Sequence, residues 1–241
     1  MDEEVRVSIT DDQWRRTALS VRPTPALGQH VVDHLRRLII TGELRAGTHL
    51  VEAQLSETFD VSRGPVRDAL RQLETEGLVG SRRRGVFVIG LALDDIEELY
   101  LLRRLLELEA VRLCMAEPVV DYVAATSALE RMAACAQQQD PEAFATADLD
   151  FHSAFYSASG HRRLEAIWQQ YRPTFAGMLA VTNAEDRDLV PTYDDHVDLL
   201  RVIRAGEPSP AIALLEEHLD GSHRRMLAAY SRFVADADAG V

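Results

Sequence analysis

The sequence predicts a mainly α-helical chain in two parts, a small unit of three helices and a β-hairpin followed by an antiparallel helical bundle. Three observations carry that expectation. Through residues 28–76, apolar side chains recur every three to four positions, with glycine closing two of the stretches. From Leu78 to Ile89, two short β-prone pieces flank a Gly/Ser/Arg turn. After Gly90 the pattern is helical throughout, broken at Pro118, Pro141, Gly160, Pro191 and from Gly206 to Pro210. The boundary between the parts falls near residue 90.

Residues 1–27 are polar, contain Arg22-Pro-Thr-Pro25, and read as a flexible arm. The unit over 28–90 starts with a helix carrying Val31, Leu35, Leu38 and Ile39 on one stripe, closed by Gly42. A short helix follows from about Glu52 to Phe59. The third spans about Arg63 to Glu76, with Ser62 as N-cap, Pro65 in its first turn and Gly77 just beyond its end. Residues 78–89 form the hairpin. The bundle over 91–235 is expected as helices at about 94–116, 121–138, 141–158, 161–182, 192–206 and 209–235, six or seven in all, leaving 236–241 as a tail.

Charge narrows the function. The 241 residues carry a net charge of −13, which argues against a simple polyanion binder, yet the balance is uneven. Residues 1–90 hold 13 Arg and 13 acids, whereas 91–241 hold 13 and 26. All basic residues are Arg. No apolar run reaches the roughly 20 residues of a membrane helix, and the acidic start Met1-Asp-Glu-Glu is wrong for a signal peptide. Cys114 and Cys135 have neither metal nor redox spacing. A soluble, cytoplasmic protein that does not engage membranes is expected.

Three helices and a hairpin are the layout of a winged helix-turn-helix, whose third helix enters the DNA major groove. In the third helix Val66, Ala69, Leu70 and Leu73 form the core stripe. Arg63, Arg67 and Arg71 recur on another face, where planar guanidinium forks can grip guanine edges or phosphate. Arg82, Arg83 and Arg84 crowd the hairpin tip, and Gly85 lets backbone approach DNA. On charge alone, a solvated face with local salt bridges to Asp68 or Glu74 stands beside the DNA-binding reading. The text over 28–90, notably Leu55-Ser-Glu-Thr-Phe-Asp-Val-Ser-Arg-Gly-Pro-Val-Arg-Asp-Ala-Leu-Arg-Gln-Leu-Glu-Thr-Glu-Gly-Leu-Val and Arg84-Gly-Val-Phe-Val, resembles the GntR family of bacterial transcription regulators. The resemblance implies that Arg63 and Arg67 read bases, that Ser62 and Gly64 lie at the groove, and that Arg84 and Gly85 belong to the wing tip. Where some members carry Arg at the start of the second helix this chain has Ala53, so that contact is expected to be absent.

A second constellation lies in the bundle. Asp148 and His152, four apart, share a face with Phe151 and Phe155. His196 falls in register with Leu199, Leu200 and Ile203, and His218 with Leu214 and Leu215. Each histidine alone also reads as a satisfied core residue. Together, one carboxylate and three imidazoles facing a core need compensation, which a shared divalent cation supplies. Residues 94–235 resemble the FCD ligand-binding domain of GntR regulators, through Asp148-Leu-Asp-Phe-His-Ser-Ala-Phe-Tyr-Ser-Ala-Ser-Gly, Asp195-His-Val-Asp-Leu-Leu-Arg-Val-Ile-Arg-Ala-Gly-Glu and Ala213-Leu-Leu-Glu-Glu-His-Leu. That resemblance implies a metal held by Asp148, His152, His196 and His218, zinc first with nickel or manganese as alternatives, and argues against a long-chain acyl-CoA effector. It also implies that Arg103 faces the effector pocket; the plain alternative is an exposed Arg103 paired with Glu107.

These expectations combine into a homodimeric, effector-responsive repressor on a pseudo-palindromic operator, its effector a small organic acid held by the metal and Arg103, with the linker at about 90–95 as the coupling point. Two rivals remain at this point: a metal-dependent hydrolase or lyase with a DNA-binding appendage, and a direct metal-ion sensor.

Overall fold

A computed structural model describes residues 25–186 and 188–239, so the expected arm over 1–27 lies almost wholly outside the described residues. The first helix nevertheless begins at Pro25, three residues before its expected start. Proline suits that place, because the first turn has no use for its missing N–H.

The described elements run α1 (Pro25–Ile40), β1 (His49–Leu50), α2 (Glu52–Thr58), α3 (Arg63–Thr75), β2 (Val79–Arg82), β3 (Gly85–Val88), α4 (Leu93–Ala116), α5 (Val123–Gln138), α6 (Pro141–Ala158), α7 (Arg162–Glu185), α8 (Val190–Ala205) and α9 (Pro208–Ala239). The fold is mainly helical, as expected, with two departures. The hairpin gains a third strand: β1 pairs antiparallel with β3, giving the order β1-β3-β2. The last helix continues to Ala239, so residues 236–239 of the stretch taken as a tail are helical.

In the N-terminal unit, α1 packs on α3. Val31, Val32, Leu35 and Ile39 of α1 meet Val66, Ala69, Leu70 and Leu73 of α3, all buried. Ser62 does occupy the N-cap of α3 in extended conformation, but its hydroxyl makes no capping bond. Gly77 ends the helix at φ +79°, a conformation glycine adopts without strain. The wing places Arg83 and Arg84 in the turn between the paired Arg82 and Gly85. Gly85 also has a reason within the fold. At φ +127°, a Cβ on it would lie 2.4 Å from His49 Nε2, so glycine makes room for the imidazole that stacks on Phe87.

The bundle packs α5 on α6, α6 on α7, and α9 on α4, α7 and α8. The N-terminal unit does not merely hang from the linker. α1 lies directly against α7, where a Cβ on Gly177 would come within 2.6 Å of Ile40 Cδ1 and 3.3 Å of Arg36 Cδ. Beside that contact the buried Arg36 donates through Nε and Nη2 to the two carboxylate oxygens of Glu76, each at 2.7 Å, and Thr174 of α7 donates to Glu76 at 3.4 Å. The two parts therefore meet in a packed contact beside the linker. Gly177→Val is expected to lower stability by about 1–3 kcal/mol through overpacking, read as a lower urea midpoint. An unchanged midpoint would show that this approach is not close.

Candidate metal centre and DNA-contacting face

Burial of one face of α3 leaves the other for solvent. Arg63, Gly64, Arg67 and Arg71 are exposed there, as are Ser62 ahead of them and Arg82, Arg83, Arg84 and Gly85 on the wing. Two of the arginines have local partners. Arg67 Nη2 lies 3.0 Å from the Glu52 carboxylate at the start of α2, and Arg71 lies 3.5 Å from Asp68. The hydrogen bond from Arg67 holds the Glu52 carboxyl below its usual range, against the opposing effect of desolvation. Glu52 was not singled out in the sequence. It adjoins Ala53, where an arginine contact was expected to be missing, and it poises the Arg67 guanidinium instead. Arg82 sits over the Phe87 ring at 5.4 Å, which ties the root of the wing tip to the sheet.

Helices α6, α8 and α9 bring the four expected ligands inward. Asp148 and His152 stand one turn apart on α6, flanked by buried Phe151 and Phe155. His196 comes from α8 and His218 from α9. The ring nitrogens converge: His152 Nε2 lies 3.3 Å from His196 Nε2 and 3.2 Å from His218 Nε2. Asp148 Oδ1 lies 3.3 Å from Nε2 of both His152 and His196. These spacings match the roughly 3.3–3.4 Å between ligand atoms set tetrahedrally about 2.0–2.1 Å from a zinc ion.

The far side of each ring explains why a cation fits. His196 Nδ1 donates to the Thr192 carbonyl at 2.6 Å, and His152 Nδ1 donates to the Glu107 carboxylate. With Nδ1 protonated, a neutral imidazole turns a lone pair inward at Nε2. The core would then hold lone pair against lone pair and against a carboxylate, in a buried setting. Positive charge resolves the conflict. Part of it can be a proton: burial pushes His152 toward neutrality, but the Glu107 and Asp148 carboxylates outweigh it and raise the imidazole pKa. Burial alone would raise Asp148, yet the His196 and His152 rings hold its carboxyl well below the usual range. For His218 burial and the other two imidazoles act together, pushing it well down and leaving it neutral and able to ligate. His152, His196 and His218 could hold a metal ion, with Asp148 in reach.

Arg103 departs from the plain alternative of an exposed side chain. It does pair with Glu107, Nε to Oε2 at 3.2 Å, but it is buried, at 1% exposure, and not at the surface. Its Nη1 and Nη2 have no hydrogen-bond partner. Glu107 thus joins two functions, orienting the His152 ring and holding Arg103, and sequence reasoning cast it only as a surface partner. A signal was present. Tyr100, Arg103, Glu107, Ala110 and Cys114 share one buried stripe on α4 at 3,4,3,4 spacing. His161 caps α7 by accepting from Leu164 N–H and stays outside the centre.

Residues 27–89 match the bacterial regulatory proteins of the gntR family, and residues 98–221 match the FCD domain. The chain belongs to the GntR family. This GntR regulator is 29% identical over 201 residues to the gluconate operon transcriptional repressor of Bacillus subtilis, an alignment covering 80% of this chain and 82% of the relative. Its fold matches that of a GntR transcriptional regulator from Rhodococcus sp. RHA1 with TM-score 0.65 and 29% identity, covering 85% of this chain and 99% of that one. The E. coli protein McbR/YncC shares the fold at TM-score 0.66 and 22% identity, over 85% and 98%. Such relatives are transcription regulators and not enzymes, which sets aside the hydrolase or lyase rival. No helix among the described residues is long and apolar enough to cross a membrane.

Proposed function

We propose that this regulator is a cytoplasmic homodimeric repressor whose hold on a pseudo-palindromic operator is controlled by a small organic acid bound beside a metal ion. The observation that carries the reading is the pairing of two unmet demands in one core. The Asp148 carboxylate and the convergent imidazole lone pairs of His152, His196 and His218 call for a cation, and the buried Arg103 Nη groups call for an anion. A carboxylate at the metal and within reach of Arg103 answers the second demand. Zinc suits imidazole and carboxylate donors at the observed spacing, with nickel or manganese next. When bound, the ion supplies fixed positive charge. Glu107 keeps the His152 ring turned toward it, and Arg103 orients the acid.

Four protein donors around a buried point favour a permanent ion over a fluctuating one, so the metal is proposed as a resident part and not as the signal. Titration of operator binding against zinc, with and without chelator, tests this. Graded control by free metal in the absence of any acid would favour the sensor reading. The relative's name, a repressor of a gluconate operon, supports both repression and an acid-related role.

DNA binding is assigned to Ser62, Arg63, Gly64, Arg67 and Arg71 on and beside α3, and to Arg82, Arg83, Arg84 and Gly85 on the wing, all of them exposed. Two half-sites need two copies. On α4 one exposed stripe reads Glu98, Leu101, Leu105, Glu109 and Arg112, with Leu101 and Leu105 at 58% and 61% exposure. A second copy laid antiparallel about Leu105 buries the leucines and sets Glu98 of each chain against Arg112 of the other. Leu105→Asp is therefore expected to shift the protein from dimer to monomer in sedimentation without loss of helicity. A variant that sediments as the parent would move the two-fold axis elsewhere.

A further inference from the structure

The exposed arginines of α3 share their surroundings with one carboxylate from another helix. Glu52 is the first residue of α2, and α2 packs on α3. It takes Arg67 in a two-pronged grip: Arg67 Nε donates to Oε1 and Oε2, both at 3.3 Å, and Nη2 donates to Oε2 at 3.0 Å. The charges of Arg63 and Arg71 act on the same carboxylate, so one acid sits in the field of all three arginines. Arg71 meets an acid of its own helix, Asp68, at 3.5 Å. Arg67 is tied across the helix-turn-helix instead.

An exposed ion pair adds little to stability, so folding alone is a weak reason for this one. Its geometry has a consequence for recognition. A guanidinium carries its N–H donors in one rigid plane. Glu52 occupies the Nε–H and the Nη2–H beside it, which form the side-on edge. The donors left over are one on Nη2 and both on Nη1. Two of these make the end-on fork that matches guanine O6 and N7. The two-pronged bond also resists rotation of the guanidinium, so the plane of that fork is set before DNA arrives.

We infer that Glu52 is a specificity-determining residue: it braces Arg67 so that the end-on fork meets a guanine, and it lowers affinity for DNA at large. The inference rests on the assignment of Arg67 as a base-reading residue and deepens it. One carboxylate has two effects of opposite sign. As a brace, it stops Arg67 from swinging to a phosphate or offering its side-on edge to another pair of acceptors. As a negative charge beside the DNA-contacting face, it opposes nearby phosphates whatever the sequence. Affinity is lost and selectivity gained.

The test uses full-length protein and a duplex selected for tight binding by the parent from a random-sequence pool. Parent, Glu52→Ala, Glu52→Gln, Arg67→Ala and the double variant Glu52→Ala/Arg67→Ala are titrated with that duplex, with copies bearing each single base-pair change, and with a scrambled duplex. The pair read by Arg67 is the one whose substitution no longer matters to Arg67→Ala. At that pair Glu52→Ala is expected to lose discrimination by at least about threefold, a part of what one bidentate contact supplies. It should bind the scrambled duplex as tightly as the parent or more tightly. Glu52→Gln keeps one acceptor without the charge and should fall between. In the double variant, loss of Glu52 should add nothing to the loss of Arg67 at this pair. A merely structural role would weaken binding to both duplexes together, and a plain charge effect would strengthen both together. Either parallel change would overturn the inference, as would full discrimination in both Glu52 variants, and each leaves the assignment of Arg67 standing. If Arg67→Ala itself keeps full preference at every base pair, that assignment falls and this inference with it.

Discussion

His152→Ala is expected to abolish metal binding at the proposed centre and to lower stability by about 3–5 kcal/mol, the range for removing one partner from a buried charged cluster. The ring touches Asp148, His196, His218 and Glu107 at once. Its loss leaves two buried carboxylates facing a void and opens the ligand set. Metal bound only to the folded state adds stability by mass action, so chelation of the parent should lower its melting temperature in the same direction. Glu107→Gln is a finer probe. It preserves shape and keeps a hydrogen bond to the ring but removes the charge that fixes Nδ1 as donor, so metal affinity should fall roughly 10–100-fold while the fold persists. Elemental analysis and thermal melts of the three proteins check this. Parent protein that carries no metal and takes none up on dialysis would remove the metal from the account.

Arg63→Ala and Arg67→Ala should each weaken specific operator binding by about 1–3 kcal/mol and relax base preference at the positions they read. Arg82→Ala or Arg83→Ala should weaken binding more evenly across sequences and flatten its salt dependence, as expected of contacts to phosphate. Arg67 carries an extra condition, because Glu52 holds it at 3.0 Å in the free protein. Electrophoretic or fluorescence titrations against operator and scrambled DNA at several salt concentrations separate the two classes. Binding that kept both strength and sequence preference after loss of Arg63 and Arg67 would contradict the winged-helix assignment.

Much of this was legible in the sequence because it follows local periods. The α3 stripe of Val66, Ala69, Leu70 and Leu73 is buried as the 3.6-residue period requires, and the breaks at Pro141, Gly160 and Gly206 fall at helix ends. The convergence of His152, His196 and His218 could be anticipated, since each shares a face with core residues. What escaped depends on partners distant in sequence. A two-residue strand such as His49–Leu50 has no period of its own and exists only through β3. The Arg36, Glu76 and Thr174 contact joins residues 40 and 98 positions apart. The room that Gly85 leaves for His49 was hidden because His49 lies 36 positions earlier and nothing local places it there. Glu107 was hidden by the habit of pairing Arg and Glu at i, i+4 on helix surfaces, a rule that says nothing about which face is buried.

In the proposed function, metal and Arg103 hold one acid, and that acid controls DNA binding. Operator release as a function of added organic acid, measured on the metal-loaded parent, the metal-stripped parent, Arg103→Ala and stripped Arg103→Ala, tests it most directly. Acid is expected to release the parent from its operator, loss of either the metal or Arg103 to weaken that response, and loss of both to be little worse than loss of one, since both groups grip the same ligand. Operator affinity without acid should be unchanged by Arg103→Ala. Release by a neutral or cationic compound, or an acid response indifferent to both changes, would contradict it.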